Sequence, residues 1–361
     1  MALPTLQTIK ECADFHKTVE PFLPQLYDLP QKLLDNYSNR DALVQIYLET
    51  NPLISGAAFS IFLGVIFLVT AEVNRNFSQV DRAWSILPAV YNVHFAVWAR
   101  LAVEPHSRTD LVALFSIVWS IRLTYNYWRK GGYQIGSEDY RWAHVQKWMH
   151  PVLFSLFDLL FIAFTQSFLI FLFSSAPAYI ILLTNKFEPT LSSGDFGYFA
   201  VELLLVVSEY FSDGQQWHYQ TAKHQYQKDA KLPRGFAQAD LDRGFITSGL
   251  WAYSRHPNCA AEQLIWFFLY HWSCFSSTAL YSWAAVGSFS LIMLFQGSTF
   301  LTESISGGKY PEYRHYQDTV GMFLPSSFRP YRAPEVEGPK VIRTSELLKK
   351  QKSKQKLGKR E

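Results

Sequence analysis

Three uninterrupted apolar runs limit what this chain can fold into more than any other feature of the sequence. Residues 152–173, VLFSLFDLLFIAFTQSFLIFLF, contain one acid and no base, and residues 53–70 and 279–300 contain no charged residue. About 20 such residues are needed for a helix to cross the hydrocarbon core of a bilayer. Runs this continuous fit helices better than the alternating strands of a barrel. The sequence therefore predicts a polytopic membrane protein.

Four further stretches are less apolar but long enough to be helices of the same bundle. We predict an all-α fold, a polytopic membrane helical bundle of about seven transmembrane helices. The predicted spans are 53–70, 83–103, 110–127, 152–173, 196–212, 260–275 and 279–300. The stretch 177–184, PAYIILLT, is too short to cross, and we interpret it as a re-entrant segment.

The spans divide the chain into three parts. Residues 1–52 form an N-terminal extension, residues 53–330 the membrane domain and residues 331–361 a basic tail. From residue 340 onward, nine bases outnumber two acids. This composition is typical of a disordered, solvated tail, and it also suits an electrostatic clamp to anionic lipid.

The distribution of bases predicts the orientation in the membrane. If the basic tail is cytosolic, the segments 71–82, 128–151 and 213–259 are cytosolic as well, and together they hold twelve bases. The loops 104–109 and 174–195 on the opposite side hold two. Cytosolic loops are enriched in Lys and Arg, so we expect a cytosolic C-terminus and a lumenal N-terminal extension. Among multi-pass locations we favour the endoplasmic reticulum membrane.

A polar patch at the start of one predicted span suggests a ligand site. In SGLWAYSRHPNCAAEQ, residues 248–263, Pro257 suits the first turn of a helix, which places Asn258 and Glu262 on one face. A helix N-terminus favours anions, and an arginine such as Arg255 binds phosphate through two parallel hydrogen bonds. His256 adds a further donor. The alternative is an interfacial Arg and His that reach towards lipid headgroups.

Two other predicted spans carry polar stripes. In 201–220, Glu202, Glu209, Asp213 and Gln216 recur at helical spacing. Acids at membrane depth usually face a cavity or a partner, and the alternative to a ligand is pairing with an arginine of another span. In 121–142, Arg122, Asn126 and Arg129 lie on one helical face. Asp81, in VDRAWSILP, is interpreted either as a site residue or as a cap of the next span.

Several motifs that would indicate other chemistry are absent. The chain has no G-x-G-x-x-G, no P-loop and no H-E-x-x-H pattern. Its histidines and three cysteines lack metal-ligand spacing, so we expect no metal. We also expect no nucleic-acid partner, and the sequence does not indicate an oligomeric state.

The polar patches occur in blocks that resemble a known family. GLWAYSRHPNCAAE resembles the G-L-W-x-Y-S-R-H-P-N-Y-x-G-E signature of the steroid 5-alpha-reductase-like membrane proteins, and in particular their subfamily known as domain of unknown function 1295. VDRAWSILP, RLTYNYWRKGGYQIGSEDYRW and KYPEYRHYQDTVGMFLP resemble the other blocks of that subfamily, in the same order. The resemblance covers roughly residues 53–330. Cys259 and Ala261 stand where the family pattern has Tyr and Gly.

The resemblance implies a membrane bundle whose C-terminal half encloses a cofactor, which is NADPH in the reductases. Carried over by motif, the residues that would contact it are Arg255, His256, Asn258, Glu262, Asp213, Arg243, Tyr313 and Tyr316. The reductases polarise their substrate with a Glu and Tyr pair that has no match by motif in this chain. Tyr91, Tyr125 and Asp81 are the weak candidates for that catalytic role.

We therefore expect an NADPH-dependent oxidoreductase that acts on CH–CH groups. It would reduce a conjugated C=C bond in a steroid-like or other lipid substrate taken from the bilayer. One alternative is an S-adenosylmethionine-dependent methyltransferase, because the isoprenylcysteine carboxyl methyltransferases also resemble this superfamily through an R-H-P motif and a following acid. The other alternative is a non-catalytic lipid-binding membrane protein.

Overall fold

The computed structural model describes residues 2–334 as an almost entirely helical chain. No strand occurs in these residues, and Ser254 and Gly321 form an isolated bridge. Two short 3₁₀ segments, Ile9–Ala13 and Glu20–Phe22, lie near the start and a third, Gly249–Ala252, lies before the last long helices. The α-helices are α1 (Phe15–Thr18), α2 (Pro24–Asn36), α3 (Arg40–Glu49), α4 (Pro52–Asn74), α5 (Gln79–Trp84), α6 (Leu87–Leu101), α7 (Ser107–Arg129), α8 (Tyr140–Trp148), α9 (Pro151–Phe157), α10 (Gln166–Thr184), α11 (Ser193–Asp229), α12 (Gln238–Arg243), α13 (Pro257–Ser276), α14 (Ala285–Lys309) and α15 (Tyr313–Thr319).

Three helices are long and apolar enough to cross a membrane, as expected of a membrane protein. They are α4, the continuous helix Pro151–Thr184 and α14. Local sequence sets both ends of α4. The side chain of Asn51 accepts a hydrogen bond from the Leu53 N–H, Pro52 occupies the first turn, and Arg75 ends the helix in a left-handed conformation.

The other four predicted spans are also helical, but they are shorter or more polar than a typical span. Helix α6 has 15 residues, whereas α7, α11 and α13 have 23, 37 and 20. The last three carry buried charged side chains, which lower their mean hydropathy. Three of the helices within residues 2–334, rather than seven, therefore satisfy both length and apolarity.

The helix Pro151–Thr184 differs from the predicted span of 152–173. Helices α9 and α10 are joined by a π-helical segment, Asp158–Thr165, and the helix then continues through Pro177. Residues 177–184 are buried, and α10 packs on α4, α6 and α13. The interpretation of 177–184 as a separate re-entrant segment is therefore wrong: tertiary packing holds it in one helix despite the proline.

The chain divides into two compact units, and the division falls inside α11. The first unit comprises residues 1–214 and 256–306. Its core contains the buried indoles of Trp98, Trp119, Trp266 and Trp272. The N-terminal extension contributes to the same hydrophobic core through residues such as Leu3, Cys12 and Val19.

The second unit comprises residues 215–255 and the chain from residue 307 onward. Its core is aromatic and includes Phe245, Tyr313, Tyr316 and Tyr331. Within it, the Lys223 ammonium donates to the carbonyl of Gly244 at 3.0 Å. The predicted basic tail, 331–361, lies outside the described residues except for its first four positions.

Candidate functional site

A single buried arginine of the first unit contacts three carboxylates from two other helices. Arg122, on α7, donates from Nη1 to Asp213 Oδ2 at 2.9 Å and from Nη2 to Glu209. Its Nη2 also lies 3.5 Å from Glu262 Oε2. All four side chains are no more than 7% exposed. We call these four side chains, together with Asn258, the acidic centre.

Two tryptophans hold Glu262 within the acidic centre. The indole of Trp119 donates to Glu262 Oε2 at 3.0 Å, and the indole of Trp266 donates to Oε1 at 2.8 Å. The two rings meet edge to face, with centroids 5.0 Å apart. Because both carboxylate oxygens are engaged by rigid side chains, Glu262 has a fixed orientation.

Asn258 contributes a hydrogen-bonding group that the fold leaves unused. Its Nδ2 donates to Asp213 Oδ1 at 3.3 Å, which fixes the orientation of the amide. Its Oδ1 is buried and accepts no hydrogen bond from residues 2–334. A buried acceptor without a donor is costly, so this atom is suited to a donor on a ligand.

The charges of the acidic centre do not balance. Three carboxylates face one guanidinium, so the formal sum is −2 when all of them are ionised. Buried charges require compensation, and one arginine supplies only part of it. The buried carboxylates of the acidic centre therefore favour a cationic or hydrogen-bond-donating group. The anion site that the sequence suggested for this patch stays a prediction.

A second pair of buried charged side chains links helices α7 and α11, closer to their N-terminal ends. Arg108 Nε donates to Asp195 at 3.1 Å, and Trp272 Nε1 donates to the same carboxylate at 2.8 Å. This pair lies fourteen residues before Arg122 and Glu209 on both helices, which corresponds to about 21 Å along each axis. Midway between them on α11, Glu202 is fully buried, and its carboxylate has no hydrogen-bond partner among residues 2–334.

His256 also lies in the first unit, where it contacts an acid of α14. Its Nε2 is 2.9 Å from Glu303 Oε1, and the glutamate side chain is 4% exposed. The sequence suggested His256 as a ligand donor but gave no indication of Glu303. A histidine oriented by a buried carboxylate has a defined tautomer and a fixed ring position.

The two arginines that were predicted to bind phosphate belong to the second unit. Arg255 Nη1 donates to the carbonyls of Gln317, at 2.9 Å, and Val320. Arg243 donates to Asp240 at 2.9 Å and to Glu312 at 3.1 Å, and its side chain is 4% exposed. Both guanidiniums thus have structural partners within the second unit.

Tyr313 and Tyr316 lie in the aromatic core of the second unit. The ring of Tyr313 meets Phe245 edge to face at 4.9 Å. The Tyr316 hydroxyl donates to the carbonyl of Trp251. These contacts stabilise the unit, and cofactor binding by either tyrosine stays a prediction.

The three catalytic candidates occupy different surroundings. Tyr91 is buried, and its hydroxyl makes no hydrogen bond with residues 2–334. Tyr125 is 50% exposed, with the Arg129 guanidinium 5.4 Å from its ring centroid. Asp81 accepts a hydrogen bond from Trp142 at 2.9 Å and lies within α5, so it does not cap α6. Burial raises the pKa of Asp81, and the neighbouring Arg141 opposes that rise.

The sequence identified the carboxylates of the acidic centre but not how they are held. Asp213, Asn258 and Glu262 come together as predicted from their motifs, and Arg122 was recognised only as part of a polar face. The sequence did not indicate Trp119 and Trp266 as site residues, because a tryptophan in an apolar run is usually a core residue. Their N–H groups would have been a signal, since buried tryptophans need an acceptor.

The fold and the acidic centre define an all-helical membrane protein with a buried polar site. The model of a family described as a protein of unknown function, DUF1295, matches residues 66–320. An uncharacterized protein of Schizosaccharomyces pombe is 37% identical over 325 residues, which are 90% of this chain and 93% of the relative. The chain therefore belongs to the DUF1295 family. No solved structure matches it.

Proposed function

We propose that this protein is a multi-pass membrane reductase that uses NADPH to reduce a conjugated C=C bond of a lipid. The observation that carries the proposal is the acidic centre, a buried polar site with an unused acceptor. The resemblance of the SRHPN block to the steroid 5-alpha-reductase-like proteins supplies the cofactor and the reaction class. The proposed location is the endoplasmic reticulum membrane, with a cytosolic C-terminus.

The exposed faces of the polar helices support a bundle of about seven spans. On α7, Leu114, Ile117, Val118 and Ile121 are 39–66% exposed and form an apolar stripe at helical spacing. On α11, Leu204, Val207 and Phe211 do the same. Apolar residues outside and paired charges inside are the arrangement that a bilayer favours. The two paired levels of α7 and α11 are about 21 Å apart, which is most of the hydrocarbon thickness of about 30 Å.

The acidic centre fits the nicotinamide end of the proposed cofactor. Asn258 Oδ1 is an acceptor for an amide N–H, and Asp213 fixes that acceptor in place. NADPH, when bound, supplies the hydride. The carboxylates of Glu209, Asp213 and Glu262 favour positive charge nearby, so they stabilise the charge that hydride loss creates. Phosphate binding by Arg255 and Arg243 stays a prediction from the family resemblance.

The buried tyrosine is the best of the three candidates for stabilising the substrate. Tyr91 belongs to the first unit and has an unused hydroxyl, whereas Tyr125 is exposed and Asp81 is engaged by Trp142. A buried O–H donates a strong hydrogen bond to a carbonyl oxygen as negative charge develops on it. The surrounding apolar helices exclude water from that reaction.

A methyltransferase is the second candidate, and one observation favours it. The formal charge of the acidic centre suits a sulfonium ion as well as it suits a nicotinamide. S-adenosylmethionine also carries no phosphate, and both predicted phosphate ligands already have partners in the second unit.

Ligand-dependent thermal stability of the purified protein in detergent separates the two functions. Binding to the folded state stabilises it by about 2.7 kcal/mol at a hundredfold excess over Kd. We expect NADPH to raise the Tm and S-adenosylmethionine to leave it unchanged. Asn258→Ala should abolish the NADPH effect, while Arg234→Ala, an exposed position, should retain it. Stabilisation by S-adenosylmethionine alone would establish the methyltransferase, and no shift with either ligand would contradict both functions.

A further inference from the structure

A small cationic cavity lies in the second unit and does not include the acidic centre or any predicted cofactor ligand. Its volume is about 210 Å³. It lies between the C-terminal part of α15, the end of the 3₁₀ segment Gly249–Ala252 and residues 326–332. Ligand pockets for drug-sized molecules are about 300–1,000 Å³, so this cavity suits a smaller group. Among residues 2–334, no acid lines it.

Three basic side chains line the cavity. They are Arg329, Arg332 and His315. Neither guanidinium is part of an ion pair within residues 2–334, unlike those of Arg243 and Arg122. Two unpaired arginines beside one small cavity are the donor set that binds a phosphate group through charge-assisted hydrogen bonds.

Two residues that line the cavity carry hydroxyl groups with hydrogens to donate. The Tyr331 hydroxyl is buried and has no hydrogen-bond partner within residues 2–334. Ser327 Oγ accepts from the Arg329 N–H at 3.0 Å, which leaves its own hydrogen available. A buried donor without an acceptor costs free energy, so the Tyr331 hydroxyl is an independent indication of an anionic or accepting ligand.

Two large apolar side chains stand beside the basic ones. Phe328 is 95% exposed and Leu324 is 70% exposed, on the same segment as Arg329. An aromatic ring next to an arginine is typical of a segment that lies in the membrane interface, where the ring enters the acyl region and the charge meets headgroups.

We propose that this cavity binds the phosphate of an anionic glycerophospholipid from the adjacent leaflet. Arg329, Arg332 and the Tyr331 hydroxyl hold the phosphate, and Phe328 and Leu324 enter the acyl layer. The site is separate from the proposed reductase chemistry and does not depend on it. It would fix the second unit to the membrane surface through a bound lipid.

Short-chain lipids and free phosphates distinguish the sources of this chemistry. The full-length protein in a nonionic detergent is titrated with dihexanoylphosphatidic acid, dihexanoylphosphatidylcholine, glycerol 3-phosphate or inorganic phosphate, and its Tm is followed. We expect stabilisation by the anionic lipid, a smaller effect of the zwitterionic lipid and none from the two soluble phosphates at equal concentration. Equal stabilisation by inorganic phosphate would overturn the membrane assignment.

Variants test whether the effect arises at this cavity. Arg329→Gln with Arg332→Gln should weaken the response to phosphatidic acid by about tenfold or more, whereas Arg314→Ala, an exposed position of α15 outside the cavity, should not change it. Tyr331→Phe removes only the unpartnered hydroxyl and should weaken the response about threefold to tenfold, even if the arginine variant fails to fold. Phe328→Ala should also weaken the response to the anionic lipid, because its ring is the part that enters the acyl layer. An unchanged response in Tyr331→Phe and the arginine variant would sink the proposal.

Discussion

Arginine is buried in both compact units, but its partners differ between them. In the first unit, Arg122 lies among three carboxylates that are themselves buried. In the second, Arg243 pairs with Asp240 and Glu312, whose side chains are 48% and 36% exposed. Loss of the arginine would leave buried carboxylates in the first unit, whereas the carboxylates in the second unit are exposed enough to be hydrated. We therefore expect loss of the arginine to cost more stability in the first unit than in the second.

Removal of the Arg122 guanidinium should have the largest effect. Arg122→Leu leaves three buried carboxylates without their cation, and breaking such a pair costs about 3–5 kcal/mol. We expect a large loss of Tm and of monodisperse protein in detergent. Arg100→Leu is the matched control, because its ion pair with Asp110 is partly exposed, with side chains 49% and 30% exposed, and contributes about 1 kcal/mol or less.

A second substitution shows whether charge is the cause. Adding Glu209→Gln to Arg122→Leu removes one uncompensated carboxylate, so the double variant should melt higher than Arg122→Leu alone. If the double variant is less stable, or if Arg122→Leu melts like Arg100→Leu, the acidic centre is not held by its arginine.

Loss of an indole donor should have an intermediate effect. Trp119→Phe keeps most of the ring but leaves Glu262 Oε2 with one donor fewer, at a cost of about 1–3 kcal/mol. We expect a lower Tm and weaker NADPH-dependent stabilisation. Trp98→Phe is the control, since its indole donates to the carbonyl of Tyr47 and not to the acidic centre. Equal ligand responses in the two variants would separate Trp119 from the site.

Removal of the Arg243 guanidinium should be mild by comparison. Its two carboxylate partners reach solvent, so their charges are hydrated in Arg243→Ala, and we expect a loss of about 1 kcal/mol. Thermal melting of this variant beside Arg122→Leu tests the contrast directly. A loss as large as that of Arg122→Leu would mean that exposure of the partners does not decide the outcome.

The smallest expected effect concerns Asp81 and depends on pH. Burial raises the pKa of Asp81 in the folded state, so the folded protein binds the proton more tightly than the unfolded chain. Its contribution to stability is therefore present at low pH and is lost as pH rises through the folded pKa. Relative to wild type, Asp81→Asn should gain stability from pH 4 to pH 7. A difference between the two proteins that stays constant with pH would contradict this.

The sequence was sufficient for the helical fold and for the polar residues that α11 and α13 contribute to the acidic centre. Helical spacing put Asn258 and Glu262 on one face, and the acids of α11 in one stripe. It also predicted pairing with an arginine of another span as the alternative to a ligand, and Arg122 makes that contact. The packing of α7, α11 and α13 decides which arginine makes the contact and that it meets three carboxylates. No local sequence pattern encodes that packing.

Two features of the fold, the helix through Pro177 and the cavity beside Tyr331, could not be predicted from the sequence for a related reason. The helix continues through Pro177 because α4, α6 and α13 surround it, whereas a proline read locally ends a helix. The cavity beside Tyr331 is formed by segments far apart in sequence, residues 252–253 and 315–332. A resemblance by motif likewise gave Arg255 and Arg243 a ligand role without showing the partners that they already hold.

The most direct test of the acidic centre is a structure of the protein with NADPH added. The expected result is density for the nicotinamide end within hydrogen-bond distance of Asn258 Oδ1, beside Asp213, and its loss in Asn258→Ala. Density for bound NADPH away from these residues, with the Asn258 amide still unpartnered, would contradict the assignment of the acidic centre as the functional site.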